Sequence, residues 1–446
     1  MPELERLAVV CHQYPPRALG GLAEYAERSL RELRRQRPDL ELTLYTMNHP
    51  GRHPGVSLHD GVTVVRPGIP GWLRRLVPAE GSGASVLGQA AFALALALFN
   101  LAVFLRLRRV RSRGLVVAVH DWQSTPVGIG TAWLLRSPVV YHVHNTEQTM
   151  TPRPDVADPL GIIGVCQRLM SRLAALVVVP TSEMKTLLVR HGWNPDRIRV
   201  VPHGHEDDPG SPSVAIGDRD RAAIRSAVLA DVGFPADSWL LVFVGRLSPV
   251  KGIHTLLRAL PAIARRHPAV RLLVLGVGVA GTGQDEAVDR LVTELGVGGL
   301  THVYHRYLPR EQVRRHYQAA DLCVFPSTYE PFGLVAVEAM ALGVPVVLGP
   351  GFSASIATDG DDHRAAYQVR EDTPEALSRL VVSLLDQPAA LRAVAERGRA
   401  HVLHTFTWSA SVHSTLATYQ EAVNDRPGAG RRGALVPGNR AARHGG

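Results

Sequence analysis

Lysine is almost missing. The 446 residues carry 49 lysines and arginines together, yet Lys185 and Lys251 are the only lysines, so arginine supplies nearly all positive charge. Cysteine is scarce too: Cys11, Cys166 and Cys323 stand far apart and without metal-site spacing to histidine. That excludes a disulfide framework and a structural zinc, and it points to a reduced, cytoplasmic setting. No secretory signal precedes the first apolar run, "LAVVC". With 46% hydrophobic and 20% charged residues, extensive disorder is excluded, and the length suits two or three domains.

Acidic balance is what the first half lacks. Residues 1–203 hold 24 basic against 15 acidic side chains, whereas 204–424 hold 20 against 24. The last 22 residues, "DRPGAGRRGALVPGNRAARHGG", add a further +4 and lack apolar periodicity, which predicts a disordered basic tail over 425–446. The folded positive charge therefore lies in the first half. It is either a solvated arginine-rich face or a face that meets an anionic surface or acidic partner, a peripheral membrane contact among them; no nucleic-acid partner is expected.

One stretch lacks charge altogether. Residues 84–105, "ASVLGQAAFALALALFNLAVFL", are followed by Arg106, Arg108, Arg109, Arg111 and Arg113, the pattern of a membrane span. Gln89, Asn100 and the strand-like "GLVVAVH" that follows favour a helix buried on both sides within an α/β domain, with a peripheral, membrane-dipping helix as a further reading.

Short β-branched runs alternate with helical patterns along the chain. "RLAVVC", "LTLYTM", "LVVAVH", "PVVYHVH", "ALVVVP" and "IRVVPHG" fall in the first half; "WLLVFVG", "VRLLVLG", "HVYHRYL", "LCVFPS" and "PVVLG" fall in the second. The expectation is an α/β protein with two Rossmann-like doubly wound domains facing across a cleft. The boundaries are 1–204 and 205–404, with a helix at 405–424 returning to the first domain. The junction is the Asp/Gly/Pro/Ser-rich segment 203–220.

Chemistry concentrates in "STYEPFGLVAVEAM", residues 327–340. Pro331 predicts a helix starting near Phe332 or Gly333, at the carboxyl end of the strand "LCVFPS", and Gly343 and Pro345 end it. The N–H groups of Gly333, Leu334 and Val335 then face an anion with the helix dipole behind them. Glu338 lies about 7 Å along that helix and Glu330 in the loop on its other side. A diphosphate at the helix start would have one hydroxyl-accepting carboxylate on each side, which is the shape of a nucleotide sugar. "VFVGRLSPVKG" adds Arg246 and Lys251 across a turn. A lysine in so arginine-biased a chain suits a point contact to phosphate.

"VGRLSPVKG" with "PSTYEPFGLVAVEAMALGVPVV" resembles the retaining family-4 glycosyltransferases of two-Rossmann (GT-B) architecture, close to bacterial and archaeal glycogen synthases. The resemblance runs from "YPPRALGGLAEYAERSLREL" to "FTWSASVHSTLATYQ". It implies transfer from a nucleoside diphosphate sugar to a hydroxyl acceptor by a front-face route. From the residues, "HEDD" and "DGDDH" fall in irregular loops with no opposing carboxylate, and Arg246, Lys251 and the helix dipole already supply positive charge, so neither metal nor cofactor is expected. It implies that Glu330 holds the donor sugar, Glu338 the ribose, and Arg246 and Lys251 the diphosphate. Gly20 and Gly21 would approach the phosphates from the first domain, and His120 would face the donor sugar. From the residues alone, Gly20-Gly21 is equally a plain tight turn, and His144 and Asn145 in "HVHNTE" either line the acceptor pocket or form a hydrogen-bonded loop.

The chain departs from that family at "LGPGFSASIATDGDD", at His203 and at Arg306. Two rivals stand beside it. "GVGVAG", residues 276–281, matches a dinucleotide fingerprint and so an NAD(P)-dependent oxidoreductase, though no acidic residue follows on the next strand tip. A non-catalytic nucleotide-sugar binder or an epimerase would share the fold.

Overall fold

The computed structural model describes residues 3–15, 21–48, 53–77, 86–110, 112–145, 161–205, 218–278, 282–359, 361 and 363–425. Gly20, most of the junction and the basic tail lie outside them.

The first half contributes β1 (Arg6–Val10), β2 (Glu41–Tyr45), β3 (Val56–His59), β4 (Val62–Val65), β5 (Leu115–His120), β6 (Val139–His142), β7 (Leu176–Val179) and β8 (Ile198–Val200). They form one sheet in the order β3-β4-β2-β1-β5-β6-β7-β8. Every pairing is parallel except β3 with β4. Helices cover both faces, so the inner strands are buried on both sides, and all six residues of β5 are buried.

The second half builds β9 (Trp239–Val244), β10 (Val270–Leu275), β11 (Thr301–Tyr304), β12 (Leu322–Phe325), β13 (Val346–Leu348) and β14 (Tyr367–Gln368) into a wholly parallel sheet, β11-β10-β9-β12-β13-β14. In each sheet the chain order reverses direction at the first strand: β1 sits between β2 and β5, and β9 between β10 and β12. The crevices at those reversals open at the carboxyl ends of the strands, and the two face each other.

The helix Trp408–Asn424 crosses back and puts Val412, Tyr419, Ala422 and Val423 into the core of the first domain. The two crossings run side by side, with His205 N–H donating to the Phe406 carbonyl at 2.7 Å.

Two expectations change. The hairpin β3–β4 was not anticipated; it turns on Asp60 (φ 49°) and Gly61 (φ 74°), the left-handed pair that an Asp-Gly turn favours. The apolar segment forms the helix Val86–Leu107, but only one side of it is buried rather than both. Asn100 explains how that side is held. Its Nδ2 donates to the carbonyls of Leu96 (2.8 Å) and Gln123 (3.0 Å), and its Oδ1 accepts from Val127 N–H (3.1 Å).

Candidate functional site

The helix near Pro331 spans Leu334–Ala341, with Gly333 as its N-cap at φ 105°. That conformation and the space both require glycine, since a Cβ there would lie 2.4 Å from Phe352 Cε1. The preceding loop is clamped by backbone bonds. Thr328 N–H donates to Val250 (3.0 Å), Glu330 N–H to Gly351 (3.2 Å), and Gly351 N–H to Ser327 (2.9 Å). Within the divergent segment, Gly351 therefore supports the Glu330 loop and Phe352 the helix start.

Glu330 is nearly buried, at 9% side-chain exposure, and its Oε2 takes the Lys251 ammonium at 2.6 Å and the Ser327 hydroxyl at 3.4 Å. A buried carboxylate needs such partners, and the loop order delivers them. Gly252, at φ 73°, lets the Pro249–Lys251 turn close on the loop; a Cβ on it would be 2.1 Å from the Pro326 carbonyl oxygen.

From the first domain, the helix Gly21–Gln36 brings its N-terminus against the other helix start, and a Cβ on Gly21 would stand 3.5 Å from Leu334 Cδ1. The two N-termini and the Arg246–Lys251 turn enclose a cleft of about 500 Å³. Of the residues expected in a site, Gly21, Arg246, Lys251, Glu330 and the helix start Phe332–Val335 all line it. His144 and Asn145 line it from the first domain, together with His203. His120 and Glu338 do not form its wall, and Gly20 lies outside the described residues.

Glu338 is instead drawn into a link between the domains. Arg310 pairs with Glu24 of the first domain at 2.5 Å and with Glu338 at 3.5 Å. Burial pushes the Glu338 carboxyl up to about 7; Glu24 adds to the rise, while Arg310 and Arg28 oppose it. Neither Arg310 nor Glu24 is legible in sequence as part of a site, because they meet only when the domains face each other.

His120 ends β5 but lies behind His144, 3% exposed. Its Nδ1 is 2.9 Å from His144 Nε2, and His144 Nδ1 is 3.2 Å from His203 Nε2. His142 stacks on His120 with centroids 4.4 Å apart, and the Tyr419 hydroxyl reaches His142 Nε2 at 2.9 Å. Burial, reinforced by the neighbouring imidazoles, holds His120, His142 and His203 well below the ordinary histidine range, and burial alone takes His144 down to about 3. The rings are therefore neutral near pH 7.

His120, His142 and His144 have ring nitrogens within 4.8 Å of one another, close enough to suggest a metal. The ring planes argue otherwise: in-plane lone pairs of the stacked His120 and His142 rings run in nearly parallel planes, 17° apart, and do not converge on one ion. Asp121 is a further residue of this wall that sequence reasoning missed. Its Oδ1 accepts from the backbone N–H of His144 (2.8 Å) and Asn145 (3.2 Å), fixing both at the cleft.

The fingerprint glycine Gly276 has a packing reason, since a Cβ on it would lie 2.1 Å from the Gly245 carbonyl oxygen.

Residues 225–401 match the family described as glycosyl transferases group 1, and residues 20–204 match the glycosyl transferase 4-like domain. The D-inositol 3-phosphate glycosyltransferase of Kineococcus radiotolerans is 31% identical over 333 residues, 72% of this chain and 74% of that protein. The one from Mycolicibacterium smegmatis is 34% identical over 337 residues, covering 71% of each. Among solved structures, the sucrose-phosphate synthase of Thermosynechococcus elongatus shares the fold with a TM-score of 0.70 at 21% identity, over 94% of this chain and 98% of that one. Anabaena Alr3699/HepE, solved with UDP and glucose, does so with a TM-score of 0.66 at 19% identity, over 93% and 99%.

Proposed function

The chain belongs to the group 1 glycosyl transferases, and on that premise we propose that it moves a hexosyl group, with retained configuration, from a nucleoside diphosphate sugar to a hydroxyl acceptor. One observation carries the donor reading: two helix N-termini, at Gly21 and Gly333, meet across one cleft beside Arg246 and Lys251. Positive dipole ends and two cations around a space of this size suit a diphosphate. Glu330 then faces the sugar on one side; on the other, Glu338 lies outside the cleft wall and takes the ribose by exchanging its Arg310 pair for the two hydroxyls.

Each residue's part in the reaction follows from charge. As the bond from the anomeric carbon to the phosphate oxygen breaks, negative charge grows on the diphosphate, and Arg246, Lys251 and the helix dipoles stabilise it. Lys251 has three donors, so it keeps Glu330 while reaching a phosphate oxygen. Positive charge grows on the sugar ring, beside the Glu330 carboxylate. The acceptor oxygen bonds to the anomeric carbon on the face the phosphate leaves, and its proton passes to the departing phosphate oxygen. The fixed cations supply the charge that a metal would otherwise bring, so the reaction runs without one.

Neutral His144, with Asn145, borders the acceptor side, where an imidazole hydrogen-bonds a hydroxyl without adding charge. His120 acts from behind, by setting the His144 ring. The names of the relatives make an inositol phosphate the first acceptor to try. A cytoplasmic setting suits the three free cysteines.

A thermal-shift screen against nucleotides and nucleotide sugars tests the donor site, since a ligand at 100 times its Kd adds about 2.7 kcal/mol. NMR of the product's anomeric configuration tests retention. Absence of stabilisation by any nucleoside diphosphate overturns the site, and an inverted product overturns the route.

A further inference from the structure

Four helical segments form one outer face of the first domain. Gly71–Leu76 packs on Val86–Leu107, which packs on Thr125–Gly130. That last helix runs on into the π-turn Thr131–Leu135 and packs on Ile162–Leu173. Their inward residues, among them Phe99, Val103, Val127 and Met170, join the β5 core. Their outward side carries large apolar residues as well.

Along Val86–Leu107 the exposed side carries Leu87, Leu94, Leu101 and Leu105, between 43% and 63% exposed. At 100° per residue these four fall within one narrow stripe. The most apolar eighteen residues of this helix have a mean hydropathy of 2.1, and only 39% of them are buried, unlike a core helix. Trp72 and Trp133 flank the stripe on the adjacent segments at 61% and 70% exposure, and Ile162 and Val165 extend it. An apolar surface of this extent on a folded domain marks an interaction site.

Charge identifies the partner. The four segments contain no aspartate or glutamate, yet Arg74, Arg75, Arg106, Arg168 and Arg172 lie within them and are exposed, with Arg108, Arg109 and Arg136 just beyond. A second copy packed face to face would set arginines against arginines, with no acid in the four segments to pair them. A bilayer with anionic headgroups complements both features, taking the leucines and tryptophans at the acyl boundary and the guanidiniums among the phosphates. Crossing the bilayer is ruled out by the Asn100 bonds to Leu96, Gln123 and Val127, which hold the helix on its domain.

We propose that this face docks on an anionic lipid bilayer, with the helix Val86–Leu107 lying in the plane of the surface. The test is co-sedimentation of the full chain with vesicles of phosphatidylcholine alone or mixed equally with phosphatidylglycerol. Binding is expected only to the mixed vesicles. It should weaken as salt shortens the Debye length from about 10 Å at 0.1 M to about 3 Å at 1 M. Leu94→Glu with Leu101→Glu should lower the partition coefficient about tenfold or more, and so should Trp72→Ala with Trp133→Ala, which adds no charge. The nucleotide thermal shift of these variants should match wild type, so failure here is separable from failure of the donor site. Three outcomes overturn the proposal: unchanged binding by both variants, a wild-type dimer in solution that the variants dissolve, or retention on vesicles through alkaline carbonate.

Discussion

Acidification from pH 8 to pH 6 is expected to raise the donor KM about tenfold and leave kcat nearly unchanged. The cause is the Glu338 carboxyl, which titrates near 7 because burial and Glu24 disfavour its charge more than Arg310 and Arg28 restore it. Its pKa is raised above the ordinary 4.5, so the folded protein takes up a proton as pH falls through 7, which favours folding. Donor binding changes in the opposite direction. Only the carboxylate can accept from two ribose hydroxyls, and the ionised fraction falls from about ten in eleven at pH 8 to about one in eleven at pH 6. The ribose does not change during transfer, so the loss belongs to KM. Glu24→Gln removes a like charge and should move the KM rise to lower pH. Arg310→Met removes the 2.5 Å and 3.5 Å pairs and should move it to higher pH. Glu338→Gln should show a raised KM with no such dependence. Initial rates of nucleoside diphosphate release, at saturating acceptor and constant ionic strength, give the profiles. A KM that stays flat between pH 6 and 8, or the same profile in wild type and Glu24→Gln, refutes the reasoning.

Glu330→Gln should lower kcat and kcat/KM together by about 10²-fold, because the charge beside the sugar counts most in the transition state. Lys251→Ala should cost a similar factor in kcat, and near-normal turnover in steady-state assays of either variant contradicts the assigned role. EDTA should leave the rate unchanged; activity lost to EDTA and restored by Mg²⁺ or Mn²⁺ would reverse the metal-free reading. The neutral histidines His120, His142 and His203 have folded pKa values below the unfolded 6.5. Their stabilising contribution is thus complete above about pH 6.5 and is lost as pH falls, at up to about 1.4 kcal/mol per pH unit for each ring. Urea unfolding between pH 8 and 5 should show a steep decline that His142→Phe lessens, and a flat profile counts against it.

The sheets were legible because parallel strands buried on both faces read as unbroken β-branched runs, as in β5 and β9. The helix start at Gly333 was legible from Pro331, and Lys251 from its rarity. The Glu24–Arg310–Glu338 link was not, since it joins three helices of two domains and none of them signals the others. The histidine stack likewise draws on His120, His142, His144 and His203, which lie on three separate segments. The outer face of Val86–Leu107 was hidden for a different reason: a helix apolar all round carries no periodicity that separates its buried side from its open one. The hairpin β3–β4 had a signal in "HDG", but its exposed first strand lacks the alternation that usually accompanies one.

The returning helix sets an order on biosynthesis. Val412, Tyr419, Ala422 and Val423 are fully or almost fully buried in a core whose other members end at Val201. At roughly 5–20 residues per second, about 10 to 45 s pass between synthesis of the first domain and synthesis of the helix that seals it. During that interval the groove between the helix Gly21–Gln36 and the sheet is open to water, and the apolar side chains beneath it are available to chaperones or to other nascent chains. A chain stopped after the second domain would keep that groove open permanently, so the last seventeen helical residues decide whether the first two hundred finish folding.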